Sequence, residues 1–325
     1  MSASERLIVD GLQISNWDRT VLEEIQAGGV TGVNATCAVW EGPGDTLRNI
    51  GRWYELARQN PDVVTIARSV EDILAAAEAG RVAVLLGFQN TSSFGDDYTM
   101  VEVFHHLGVR VAQLTYNIQN LVGGACYEPV DSGLTRFGRN ILAEMNRVGM
   151  LVDLSHVGNR TSREAIDASA LPLAITHANP TWFFESPRNK PDDVIEALVG
   201  REGVMGCCLY PNVIGGARVT RESFCEMVAR LIDQIGVDHV AIGSDCARGW
   251  DDEFVGWLRN GRWQPKGAQP AAWPAWPAWF SGPAQFQALA EGLCDVGLDD
   301  KAVDAVLGGN WMRLFEQVFA GTESV

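Results

Sequence analysis

The sequence is short of the residues that most often announce chemistry. It has only five histidines in 325 residues, and its seven cysteines, at 37, 126, 207, 208, 225, 246 and 294, never form a CxxC pair. Odd in number and scattered, they exclude a zinc ribbon and a disulfide framework and read as the reduced thiols of a cytoplasmic protein. Basic residues are scarce too: 25 Lys and Arg stand against 41 Asp and Glu, a net charge of −16. That sign argues against nucleic acid and against an anionic membrane surface as partners. No apolar run reaches the roughly 18 residues that a membrane-spanning helix needs. The opening MSASERLIVDG has neither the basic nor the apolar region of a secretory signal, so a cytoplasmic location is expected.

What is present is a balance of 46% hydrophobic and 20% charged residues, enough for a sizeable core. Short apolar or β-branched runs recur at 6–13, 30–40, 82–90, 109–117, 150–157, 171–178, 204–211 and 239–246. Between several of them lie stretches with helical periodicity, such as 69–80, 138–149 and 221–236, most of them ending in Gly as a C-cap. Continuous apolar strands alternating with amphipathic helices indicate a parallel sheet covered by helices. Eight such units predict an α/β fold of the closed (β/α)8, or TIM-barrel, type. TIARS (65–69) is a candidate for one more short extended piece.

Residues 250–280 break the alternation with six tryptophans, two phenylalanines and repeated prolines, and show no period of 2 or 3.6. The expected organisation is one barrel domain over 1–325, carrying a Trp/Pro-rich insertion at 250–282 and C-terminal helices at 283–320. The insertion reads either as a lid or subunit contact, or as a rigid piece packed on the barrel rim.

The polar residue of each run sits repeatedly at its C-terminal end: Gln13, Gln89, Tyr116, His156, His177 and Asp245. In a barrel those ends meet on the face where such enzymes place their chemistry. His105, His106 and His239 read as surface or structural residues. His156 and His177 end consecutive strands, 21 residues apart, so two imidazoles can reach one ion. With Asp245 at the end of the last strand, the N and O donors suit Zn²⁺ or a similar divalent ion. Asp245 alone reads as a ligand, a general base, or the acceptor that orients an imidazole.

Taken in order, IVDG near the start, LGVRVAQLTYN (107–117), GMLVDLSHVG (149–158), PLAITHANP (172–180), SPRNKPDDVI (186–195), HVAIGSDC (239–246) and VLGGNWMRLF (306–315) resemble the membrane (renal) dipeptidases, zinc peptidases of the amidohydrolase superfamily. The resemblance spans most of the chain. It implies the barrel of the metallo-dependent hydrolases with two metal ions at its mouth, and commonly a dimer. It also implies that His156 and His177 are the histidines of one metal site. Asp245 would then be the acid that handles the proton of the bridging water, and Arg188 the group that holds the substrate's terminal carboxylate. Arg suits that last task because its planar fork pairs with a carboxylate through two bonds.

The sequence departs from that pattern at three places. Leu12, Gln13 and Ile14 stand where the family has an H-x-D pair, Gln89 where it has the carboxylate bridging the metals, and Tyr116 where it has a histidine assisting the carbonyl. Two close divalent ions without those carboxylates would repel strongly in a low-dielectric site. A single Zn²⁺-like ion on His156 and His177, with Gln89 or Asp245 completing its shell, is therefore expected. It would serve a dipeptidase-like hydrolase cleaving the C–N bond of a small carboxylate-bearing substrate, a dipeptide or N-acyl amino acid. In that reading Asp245 is the base and Tyr116 a donor to the oxyanion. The alternatives are a metal-free pseudoenzyme binding a small carboxylate, and a site rebuilt around Gln13, Asn16, Asp18 or Cys246.

Overall fold

The computed structural model describes residues 6–263 and 271–322. The expected runs become β1 (Ile8–Gln13), β2 (Val30–Ala38), β3 (Val64–Ile66), β4 (Val82–Phe88), β5 (Val109–Gln113), β6 (Leu151–Asp153), β7 (Ala174–Ala178), β8 (Val204–Cys207) and β9 (Val240–Ile242). β3 is the short extra piece, paired to β4 off the main path. The other eight run parallel in the order β1-β2-β4-β5-β6-β7-β8-β9. Helices alternate with them, including Val70–Glu78, Arg136–Val148 and Arg221–Ile235.

These helices start where a side chain can occupy an orphan backbone N–H. Ser69, Thr135 and Thr220 each accept from an amide in the first turn that follows. Gly149 closes the second helix at φ 78°, a left-handed conformation costly to residues with a Cβ. Leu, Ile and Met on the inward face of Arg136–Val148 are buried while its arginines face out.

β1 and β9 close the barrel without a regular ladder. Asp245 N–H donates to Leu12 O at 3.0 Å, Ile14 N–H to Cys246 O at 2.8 Å, and Asn16 N–H to Arg248 O at 2.8 Å. Below them the fully buried Asp10 carboxylate accepts from Ser244 N–H (2.7 Å), Ser244 Oγ–H, and Gln13 Nε2–H (2.8 Å). The seam thus depends on one charged side chain. The barrel floor is filled by Trp311 of the helix Asn310–Phe319, whose indole N–H donates to Ile242 O at 2.9 Å. Glycines make room there: a Cβ on Gly11 or Gly206 would come within 3 Å of the Trp311 ring and of Thr176 O.

The expectation of no helical period in 250–280 is corrected at its start. Asp251 caps the helix Asp252–Asn260, which buries Val255 and Leu258 at i and i+3. The charged DDE opening and the interspersed Trp and Gly mask that period in the sequence. Residues 264–270 of the Trp/Pro-rich stretch lie outside the described residues. Beyond it, helices Phe286–Asp295 and Asn310–Phe319 are present. No described helix is long and apolar enough to cross a membrane.

Candidate active site

A cavity of about 500 Å³ opens at the C-terminal ends of the strands, and its lining includes Ile14, Tyr116, His156, Arg188, Tyr210 and Asp245. Four residues singled out in the sequence, Tyr116, His156, Arg188 and Asp245, therefore face one space. His177 and Gln89 are buried and are not part of that lining. His177 nevertheless touches it through His156, whose Nε2 lies 3.2 Å from its own Nε2.

The hydrogen bonds behind the imidazoles set their tautomers. Thr176 Oγ1–H donates to Asp153 Oδ2 at 2.7 Å, so Thr176 Oγ1 accepts from His177 Nδ1–H, also at 2.7 Å. Asn117 Oδ1 accepts from His156 Nδ1–H at 2.7 Å. Burial, reinforced by the Arg188 charge, holds both imidazoles well below their ordinary pKa, so both are neutral. Two bare Nε2 lone pairs consequently face one another. Bonds of 2.0–2.1 Å to one tetrahedral ion place two nitrogens about 3.3–3.4 Å apart, so this pair has the geometry to hold one ion.

The described residues contain no cluster of three or more His, Cys, Asp or Glu able to hold a metal. Leu12 and Ile14 are buried apolar side chains at the end of β1. Gln89 Nε2–H donates to Thr36 Oγ1 at 2.9 Å.

Around the imidazoles lie three groups of different charge. Arg188 is buried and has no carboxylate within ion-pair distance among the described residues; it donates to Ser155 O and, at 2.9 Å, to His177 O. Asp245 has φ 55°, which tips it from the strand end into the cavity. Burial pushes its carboxyl up to about 7; Arg188 opposes the rise, and Asp10 and Asp153 add to it. Tyr116 stacks on His156 with ring centroids 4.2 Å apart, and burial, then Asp245, raises its hydroxyl well above the usual phenol range. It remains a proton donor at neutral pH.

Asn117, Thr176 and Asp153, which orient the imidazoles, went unrecognised as functional in the sequence. Asp153 and Thr176 each lie within three residues of a strand-end histidine, on the strand side, and that adjacency was the available signal. Lys190 escaped notice as well. It is one of three lysines in the chain and is fully buried, its ammonium donating to Val157 O. Burial brings it down to about 7. His239 is structural as expected, its Nδ1–H donating to Gly203 O at 2.8 Å.

The strands thus form a parallel (β/α)8 barrel with a polar cavity at its C-terminal mouth. An amidohydrolase from Pseudomonas aeruginosa is similar over nearly its whole length: 37% identity, 98% of each chain covered, TM-score 0.92. Residues 14–257 match the model of the membrane dipeptidases (peptidase family M19), and the chain belongs to that family of metal-dependent hydrolases. Dipeptidase tcpJ of Claviceps purpurea is 31% identical over 62% of this chain and 48% of its own length. Dipeptidase aclJ of Aspergillus oryzae is 29% identical over 84% of this chain and 61% of its own length. The chain thus spans about half to three fifths of these relatives.

Proposed function

We propose that the protein is a one-metal, dipeptidase-like hydrolase that cleaves the C–N bond of a small amide bearing a carboxylate. The observation that carries this reading is the pair of neutral imidazoles, His156 and His177, with Nε2 atoms 3.2 Å apart and both Nδ1–H groups committed elsewhere. These two residues would hold a single divalent ion such as Zn²⁺. Bound there, the ion would supply Lewis-acid polarisation of the scissile carbonyl.

The protein's own groups divide the remaining work. Arg188 keeps N–H donors beyond the two it gives to backbone carbonyls, and these bind the substrate carboxylate. Asp245, with a carboxyl at about 7, takes a proton from the attacking water near neutrality. Tyr116 donates its phenolic hydrogen to the developing oxyanion. Gln89 commits an amide N–H to Thr36 Oγ1, and its carbonyl oxygen is the atom that would help complete the ion's shell.

A second reading is favoured by one observation: no third His, Cys, Asp or Glu joins the pair among the described residues. A metal-free pocket binding a small carboxylate through Arg188 would need none. Elemental mass spectrometry on protein purified without chelator or nickel resin separates the two. About one Zn per chain, lost in His156→Ala/His177→Ala, together with hydrolysis that Asp245→Asn reduces at least a hundredfold, supports the hydrolase. No metal, no uptake on adding Zn²⁺, and carboxylate-induced thermal stabilisation indifferent to chelator would replace it with the binding protein.

A further inference from the structure

The helix Asp252–Asn260 supplies one wall of the cavity of about 500 Å³, through Val255, Leu258, Arg259 and Asn260. The insertion after β9 thus completes the candidate site. Its last turn is fixed in place. Leu258 is buried in one apolar cluster with Ile14 and Tyr116, and its carbonyl accepts from Trp40 Nε1–H at 3.0 Å. Trp40 in turn meets Tyr116 edge-on, with ring centroids 5.3 Å apart. Gly261, at φ 54°, ends the helix against the Trp40 ring, where a Cβ would come to 2.8 Å. Arg259 is therefore presented to the cavity from a backbone anchored just before and just after it.

What Arg259 lacks is an acid. In its own helix Asp252 and Glu253 stand nearly two turns earlier, and no described Asp or Glu comes within ion-pair distance of its guanidinium. It lies beside the hydroxyl of Tyr210, a neutral group that burial pushes up to about 12. Among the described residues Asp245 is the one carboxyl lining the cavity, against two guanidinium groups, Arg188 and Arg259. Tyr127, in the same wall, lies within electrostatic reach of both. The two cations thus share a neighbour.

A substrate with one carboxylate occupies one of these guanidinium groups and leaves the other facing the cavity unpaired. A position at the end of a helix favours a basic residue, yet it does not require that residue to line the cavity without an acid. The planar fork of an arginine takes a carboxylate through two bonds, and a cavity of this size accommodates a dipeptide. We propose that Arg259 is a second anion-binding group of this site, so that the substrate of the hydrolase proposed above carries two carboxylates, one held by Arg188 and the other by Arg259. The inference rests on that reading for the reaction and adds a substrate class: an acidic dipeptide or N-acyl amino acid. Its second carboxylate lies on the side chain of one of the two units that the amide joins.

The test uses full-length, Zn-loaded protein and two nearly isosteric pairs, Ala-Glu with Ala-Gln and Glu-Ala with Gln-Ala, each in its four stereoisomers. The members of a pair differ in charge and hardly in shape. In at least one pair the acidic compound is expected to have a kcat/KM about fivefold or more above that of its amide, a ratio that falls as salt rises from about 0.05 to 0.5 M. The pair that shows it identifies the unit bearing the second carboxylate. Arg259→Gln should bring that ratio close to one, and Arg259→Lys, which keeps the charge, should retain part of it. Ratios near one in both pairs, or a preference that survives Arg259→Gln, would overturn the role of Arg259 while hydrolysis of the compounds leaves the one-metal reading intact. Should none of the four be hydrolysed, that reading fails for dipeptides and calorimetry decides Arg259. Binding of one acidic compound about fivefold or more tighter than its amide, lost in Arg259→Gln, supports the assignment, and equal or absent binding overturns it. The wild-type ratio and its salt dependence need no variant, so misfolding of Arg259→Gln leaves the test standing.

Discussion

A histidine becomes a metal ligand or a proton carrier according to what its second nitrogen does. Here both Nδ1–H groups are consumed, by Asn117 Oδ1 and Thr176 Oγ1, and Thr176 is itself locked by Asp153. Replacing Asn117 by Ala frees one imidazole to rotate or change tautomer without touching the nitrogen that faces the ion. Zn²⁺ affinity, read by competition with a chromophoric chelator, is expected to fall about 10–100-fold while the thermal midpoint of the metal-free protein changes little. An unchanged affinity would remove the orienting role. At the same scale, the raised carboxyl of Asp245 fixes a direction for pH dependence. The ionised form is the base, so kcat/KM should rise with pH through about 7 on the acid limb, and Asp245→Asn should abolish that limb in whatever activity remains.

At the scale of elements, the weakest join in the barrel is the seam between β1 and β9, and Asp10 sits at its centre. Burial raises its carboxyl to about 6 despite the hydrogen bonds from Ser244, Gln13 and Leu12, whereas an unfolded Asp titrates near 3.9. A raised acid pKa means that the folded state binds the proton more tightly. The stability linked to Asp10 is therefore fully present below about pH 4 and is lost as pH rises to about 6. The difference is on the order of 2–3 kcal/mol. The other buried acids and imidazoles are common to both proteins, so urea unfolding from pH 4 to 7 should give wild type and Asp10→Asn slopes that differ by that amount; equal slopes would show that Asp10 does not titrate as a buried acid. The barrel floor makes a separate demand. A Cβ on Gly206 would sit 2.1 Å from Thr176 O and 2.9 Å from the Trp311 ring. Gly206→Ala is expected to cost about 1–3 kcal/mol in the same assay.

Over the whole molecule, the charge of −16 leaves few cations, and two of them, Arg188 and Lys190, are buried beside the imidazoles. Arg188 is thus a buried cation in the wall of the cavity, set within an acidic molecule. We propose that the chain is one domain, with 250–282 as an insertion rather than a unit of its own. Trp279 supports this by donating its indole N–H to Val219 O at 2.9 Å, and Trp40 by donating to Leu258 O at 3.0 Å. Urea unfolding should then give one transition, coincident by tryptophan fluorescence and far-UV circular dichroism, and a separate fluorescence transition would contradict it.

The sequence by itself determined the barrel and the face that carries the site. Strand and helix periods are local: each of β1 to β9 overlaps a run visible in the residue order, and the glycines that end helices are visible there too. Polar residues at successive strand ends are brought together by barrel closure alone, which is why His156, Tyr116 and Asp245 were legible as one group. Arg188 was legible through the family resemblance. The tertiary structure decided what depends on distance between remote side chains: the 3.2 Å between two Nε2 atoms, the tautomers imposed by Asn117 and Thr176, and the Asp10 lock on Ser244, 234 residues away. It also decided an aromatic cavity. Trp17, Trp53 and Trp250 share no local pattern and line one space of about 230 Å³ only because the segments after β1, β2 and β9, the helix Pro43–Gln59 among them, fold over the same rim. Periodicity reports which way a side chain points from its own element, whereas a site is defined by what it meets there, and that is settled by packing between elements far apart in the chain.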